Sequence, residues 1–230
     1  MQLSLDTRQV GDVTVVRCQG RIVAGSESES LRAHVAWLLH DRRSILLHLG
    51  EVGFIDSSGL GTMVRALASA RHARGDLKLC DVPAPVRKVL EMTRLNSVFD
   101  LYESEETAVT AFYRNSSVTE SRVPSGRSVL CLDSNIDVLA YLRELLHRAG
   151  YDVQTTNRVN DALLLMRVSR FDLLLVGPDK VGSSASSSFR DACRNIPVIE
   201  LDKNFSTTDA GAAGGELLEM IETKLKHKSL

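Results

Sequence analysis

The string Phe54-Ile55-Asp56-Ser57-Ser58-Gly59-Leu60-Gly61-Thr62 turns an apolar run into a helical pattern within a few residues, and it sets two hydroxyls beside a carboxylate at the turn. Upstream, Ser44-Ile45-Leu46-Leu47-His48-Leu49 reads as a strand. Downstream, Leu60, Met63, Val64, Leu67 and Ala68 recur at helical spacing, and Gly75 is placed to stop the helix. A strand that feeds a helix this abruptly belongs to an α/β sheet.

The same alternation extends both ways. Asp12 to Cys18 is a β-branched strand. Ser26, with Glu29 at capping-box spacing, predicts the start of a helix whose apolar stripe is Leu31, Val35, Leu38 and Leu39, with Trp37 beside it. Leu77 to Cys80 reads as a strand, Ala84 to Met92 as a helix behind two prolines, Val98 to Tyr102 as a strand and Glu105 to Tyr113 as a helix. Residues 115–127, NSSVTESRVPSGR, offer almost nothing apolar to bury and read as a linker. A second alternation follows. Ser128 to Leu132 is a strand, Asn135 a cap, and Val138, Leu139, Leu142, Leu145 and Leu146 a helix face closed by Gly150. Further strands are expected at Tyr151 to Thr155, Phe171 to Val176 and Ile196 to Leu201, with helices from Asn157 to Val168 and from Glu216 to Lys226. The expectation is an α/β protein of two domains, 1–114 and 128–230; a chain of 230 residues suits two domains of about 100 residues each.

Several function classes are excluded. Hydrophobic residues make up 43%, aromatics 5% and the formal net charge is -1, which describes neither a disordered acidic chain nor a basic nucleic-acid binder. Cys18, Cys80, Cys131 and Cys193 are scattered, without a C-x-x-C pair or a histidine at ligand spacing, so buried thiols are expected and no metal or cofactor site is. The N-terminus meets Asp6 before any apolar core, and no apolar run reaches the roughly 18 to 20 residues of a membrane helix, so a cytoplasmic protein without a membrane partner is expected. No serine, histidine and aspartate spacing suggests a catalytic triad, and the chain is not expected to be an enzyme. Arg65, Arg71, His72, Arg74 and Lys78 could line a basic docking face, although a solvated helix face explains them as well. The run Gly182 to Ser188 reads as loop filler, and Gly211-Ala212-Ala213-Gly214-Gly215 resembles a phosphate-cradling loop only loosely.

In strand order, and above all in FIDSSGLGTMV, the first 114 residues resemble a STAS domain of the anti-sigma factor antagonist type. The resemblance implies a mixed sheet with helices and a protein that binds an anti-sigma factor serine kinase when unmodified. It also implies that phosphorylation of the first serine after the aspartate, here Ser57, releases the kinase, and that a PP2C-type phosphatase resets the switch. The partner-binding residues are then expected to be Asp56, Ser57, Ser58, Gly59 and Leu60. If Asp56 or Ser57 caps the following helix, phosphate on Ser57 would face free backbone N–H groups and would add about -1.5 to -2 charges beside Asp56, altering a docking surface without unfolding it. Gly59 and Gly61 would leave room for a partner's backbone. The competing reading is a scaffold or adaptor, in a signalling or lipid-transport complex, in which Ser57 is only a cap.

The second half resembles a response-regulator receiver, a flavodoxin-like parallel sheet with helices, on the string SVLCLDSNIDVLAYLRELLHRAGYDVQTT. A receiver needs an acid pair for Mg²⁺, an acceptor aspartate, a hydroxyl and a lysine. Here the acid pair reads Asp133-Ser134, the acceptor position falls on Gly177, the hydroxyl position falls near Asp202, and the lysine has no clear counterpart. Only a shifted loop bringing in Asp179 could repair the site. The expectation is a degenerate receiver that works through its surface, as a dimerisation, docking or targeting module.

Overall fold

A computed structural model describes residues 2–119, 126–180, 186–202, 205 and 210–226. The chain divides into two compact units, Met1–Ser116 and Ser117–Leu230.

Unit 1 opens with a hairpin of β1 (Ser4–Val10) and β2 (Val13–Ile22), turned at Gly11 with φ 59°. It continues through α1 (Ser26–Leu38), β3 (Ser44–Ile55), α2 (Ser57–His72), β4 (Asp76–Cys80), α3 (Ala84–Met92), a 3₁₀ turn (Leu95–Ser97), β5 (Leu101–Tyr102) and α4 (Glu105–Thr119). The sheet runs β1-β2-β3-β4-β5, with β1 antiparallel to β2 and every other pair parallel, a mixed sheet. On one face Val16, Cys18 and Ile22 of β2 and Ile45, Leu47 and Leu49 of β3 pack with Leu31, Val35, Met63 and Leu67 of the helices. Each such side chain contributes roughly 1.5–3 kcal/mol when fully buried.

The other face meets α4. Glu105 pairs with Arg8, and the Tyr113 hydroxyl accepts the N–H of Asp12 at 3.0 Å. Lys78, only 1% exposed, extends between Asp76 at 3.0 Å and Asp100 at 2.5 Å, with its ammonium 5.1 Å from the centroid of the Phe112 ring. It is a buried strut of β4, so the basic face expected around α2 loses this member. Arg65 donates to Thr62 and Arg71 lies 3.6 Å from Asp76.

Unit 2 comprises β6 (Ser128–Leu132), α5 (Ile136–Arg148), β7 (Asp152–Thr156), α6 (Val159–Val168), β8 (Leu173–Val176), α7 (Ser186–Cys193), β9 (Val198–Glu200) and α8 (Ala210–Lys226). Its strands run β7-β6-β8-β9 and all pairs are parallel. Asn135 caps α5 by accepting the Asp137 N–H at 2.9 Å, and Gly150 follows the helix with φ 86°. Val129, Cys131, Leu173 and Leu175 pack with Leu142, Leu146, Leu217 and Ile221 in a separate core.

The details depart from the sequence pattern where backbone geometry overrides it. The capping box does not form: Gly25, at φ 101°, is the residue before α1, Ser26 turns its hydroxyl to Glu27, and Glu29 pairs with Arg32. Asn157 does not cap α6, which follows Arg158 instead. Arg94, at φ 58°, leads into the 3₁₀ turn, so the strand expected from Val98 shrinks to two residues. The backbone of α4 stays helical through Thr119, five residues into the stretch read as linker, and residues 120–125 lie outside the described residues. Gly211 to Gly215 belong to α8, where Gly214 abuts Tyr141 and Leu145, and this excludes the phosphate-loop reading. Of the serine run, 182–185 lie outside the described residues and the rest begins α7. Among the described residues no helix is long and apolar enough to cross a membrane.

Candidate functional site

The turn between β3 and α2 is organised by Asp56. Its backbone is extended, at φ -101° and ψ 180°, and its N–H reaches the Ile22 carbonyl at 3.2 Å. One carboxylate oxygen accepts the Gly59 N–H at 2.8 Å, which makes Asp56 the N-cap of α2; the other accepts the Ala24 N–H at 2.9 Å. The carboxyl is held below the usual carboxylate range, first by Gly59, then by Ala24, with the Ser58 amide and the charge of Arg21 adding to the effect.

The helix therefore begins at Ser57. Ser57 is its first residue and is exposed, and Ser58 is half-buried. The Ser57 hydroxyl thus stands beside the positive end of α2 with the cap position already taken by a neighbour. Gly59 and Leu60, expected at a partner surface, are buried. A Cβ on Gly59 would fall inside 3.0 Å of the Ile22 carbonyl and 2.9 Å from Ile55 Cγ1, so the glycine serves the approach of α2 to β2 rather than that of a partner. Gly61 lies under the Arg65 guanidinium, where a Cβ would come within 3.3 Å. Of the five expected partner-binding residues, only Asp56, Ser57 and Ser58 lie at the surface.

Two features escaped the sequence. Arg21 lies over the half-exposed Phe54 ring, 4.9 Å from its centroid, because the two residues are paired across β2 and β3. His48, within β3, converges with Cys80 and Asp81 at the end of β4, their nearest ligand-type atoms all within 4.8 Å of one another. The register His48↔Cys80 causes this, and no spacing rule along the chain encodes it. His48 accepts the Gly50 N–H at 3.3 Å through one ring nitrogen and lies 3.3 Å from Asp81 through the other, so both nitrogens are engaged. Cys18, Cys80 and Cys131 are buried and Cys193 is half-buried, all as free thiols; burial pushes Cys18 up to about 12.

In unit 2, Asp133 is nearly buried at the end of β6 and accepts the Asn135 N–H at 2.7 Å. Its second oxygen occupies the space that a side chain on Gly177 would need, well inside 3.0 Å of any Cβ built there.

Residues 4–108 match the model of the STAS domain family. A relative of 30% identity over 113 residues is BtrV of Bordetella bronchiseptica, a candidate anti-sigma factor antagonist; the match takes in 49% of this chain and 95% of BtrV. The anti-sigma F factor antagonist of Paenibacillus polymyxa is 29% identical over 112 residues, 48% of this chain and 95% of its own. Among solved structures, the phosphorylated form of the Bacillus cell-fate determinant SpoIIAA matches with a TM-score of 0.40 at 21% identity, over 47% of this chain and 98% of SpoIIAA. The chain belongs to the STAS family through its first half.

Proposed function

We propose that this protein is an anti-sigma factor antagonist: it binds an anti-sigma factor serine kinase and is switched off when that kinase phosphorylates Ser57. The observation that carries this reading is the exposed Ser57 hydroxyl at the first position of α2, with Asp56 bound to Gly59 and Ala24 so that it caps the helix without help from the serine. The relatives that align with unit 1 bear the name of antagonist, which fits the same role. In the switching step the γ-phosphoryl group of ATP passes to Ser57 Oγ, ADP leaves and the hydroxyl gives up its proton. The added charge of about -1.5 to -2 then lies beside Asp56 and alters the face a partner must approach. A PP2C-type phosphatase reverses the step. The surface contacts are Asp56, Ser57 and Ser58, and the protein acts by binding rather than catalysis.

Unit 2 serves as a pseudo-receiver. Its parallel order β7-β6-β8-β9 is the flavodoxin-like order of second, first, third and fourth strand, and Asp133 fills the space above Gly177 where a receiver would carry its acceptor. It contributes a docking or dimerisation surface instead of a phosphoacceptor. The test is incubation with a candidate anti-sigma factor kinase and ATP, followed by phosphosite mapping on wild type and Ser57→Ala. Phosphate should appear on Ser57 and vanish in the variant; unchanged modification of Ser57→Ala overturns the assignment.

A further inference from the structure

Arg21 lies at the end of β2 that meets the β3–α2 turn. It is paired with Phe54, and the next pair, Ile22 with Ile55, leads directly into Asp56. Its guanidinium rests on the Phe54 ring, which is 47% exposed. The neighbouring charges are otherwise arranged: Arg17 lies 3.6 Å from Glu51, and Gln19 donates to the same carboxylate at 2.7 Å. Among the described residues Arg21 makes no ion pair, yet its charge is felt at Asp56, one residue before Ser57. An arginine in this position has a weak partner and a strong one in prospect. Its contact with an exposed ring is modest, whereas a guanidinium fork and a phosphate form a bidentate, charge-assisted pair.

We propose that Arg21 reads the phosphate on Ser57: it leaves the Phe54 ring for the phosphate oxygens and so changes the apolar contact that this face offers to a partner. This rests on Ser57 being the modified residue. It adds a second consequence to repulsion at the docking face. The unmodified protein presents Phe54 covered by Arg21, and the modified protein presents a bare ring beside a partly neutralised phosphate. Lysine could neutralise the phosphate but lacks the planar fork that both stacks on a ring and grips two oxygens.

The test places phosphoserine at position 57 of the full chain during translation, so no kinase is required. Proton and carbon NMR follow the Phe54 ring and the Arg21 Nε–H, and phosphorus NMR follows the second ionisation of the phosphate. Phosphoserine should move the Phe54 ring signals toward those of unmodified Arg21→Ala. The phosphate should ionise about half a pH unit lower in the arginine protein than in Arg21→Gln. Arg21→Lys should keep part of that ionisation shift, while its ring signals stay indifferent to the phosphate. Equal ionisation in wild type and Arg21→Gln, with Phe54 unmoved by phosphoserine, overturns the proposal. Since the phosphate is installed in translation, that result says nothing about whether a kinase modifies Ser57, and a failed kinase assay says nothing about Arg21.

Discussion

The turn after β3 and the turn after β8 end interior strands of parallel ladders, and each has an aspartate beside it, but the two carboxylates point to different ends. Asp56 gives both oxygens to backbone N–H groups, of Gly59 and Ala24, and leaves the next side chain, Ser57, in solvent. Asp133, arriving from β6, gives one oxygen to the Asn135 N–H and turns the other into the space above Gly177. One turn leaves a hydroxyl outside, and the other has its space filled by a carboxylate. The same kind of strand end therefore leaves its surface open or fills it according to where a carboxylate finds its hydrogen bonds.

The sharpest way to break this comparison is to add one methyl group at each turn. Gly59→Ala drives a Cβ into the backbone carbonyl of Ile22, which cannot move without β2, and should cost about 3 kcal/mol. Trp37, the single tryptophan of the sequence and a residue of unit 1, reports the loss as a lower denaturant midpoint. Gly177→Ala meets mainly a side-chain carboxylate and should cost less, about 1 kcal/mol, seen as faster hydrogen exchange in β8. Adding Asp133→Ala should recover most of that second loss through positive coupling. Additive losses in the double variant would mean that Asp133 is not what fills the position.

How far such features were legible follows from whether the chain neighbours or the fold neighbours decide them. The strands of both cores, the helix face of Leu142 and Leu146, the cap at Asn135 and the strand-to-helix turn at Asp56 are set by residues close in sequence, and periodicity reads them. β1 escaped because SLDTRQV is a half-exposed edge strand whose register is given by its partner β2. The capping box failed because Gly25, with its positive φ, brings the chain into α1 in a geometry that leaves Ser26 facing Glu27. Lys78 looked like a surface cation because nothing near it in sequence announces Asp100 or Phe112, which come from β5's approach and α4. At the site, the string itself places Ser57 at the strand-to-helix turn. The burial of Gly59 and Leu60 depends on Ile22, and the Arg21–Phe54 pair depends on the β2–β3 register, which is long-range information.

A milder perturbation removes the carboxylate charge from the first of the two turns. The Asp56 carboxyl lies below its ordinary value of 3.8 in the folded protein, so the stability it contributes is present above that value and is lost as pH falls through the folded one. Asp56→Asn keeps an oxygen toward Gly59 but cannot serve both N–H groups as a carboxylate. The acid limb of unit 1 stability, followed by Trp37 fluorescence below about pH 4, should become shallower in the variant. An unchanged limb would assign the acid sensitivity to other carboxylates and reduce Asp56 to one cap among several.

The smallest expected effect discriminates most. Ser57→Asp places a negative side chain at the first position of α2, where the helix end favours it by about 0.3–1 kcal/mol, while the neighbouring Asp56 opposes it. These contributions nearly cancel, so the denaturant midpoint of unit 1 should move by no more than about 0.5 kcal/mol in either direction. Binding to an anti-sigma factor kinase should nonetheless fall steeply, because the altered charge lies on the exposed side of the turn. A serine that mattered only as part of the cap would show the opposite pattern, with stability lost and binding reduced only in proportion to the unfolded fraction. The exposed position of Ser57, with the cap already made by Asp56, favours the first pattern.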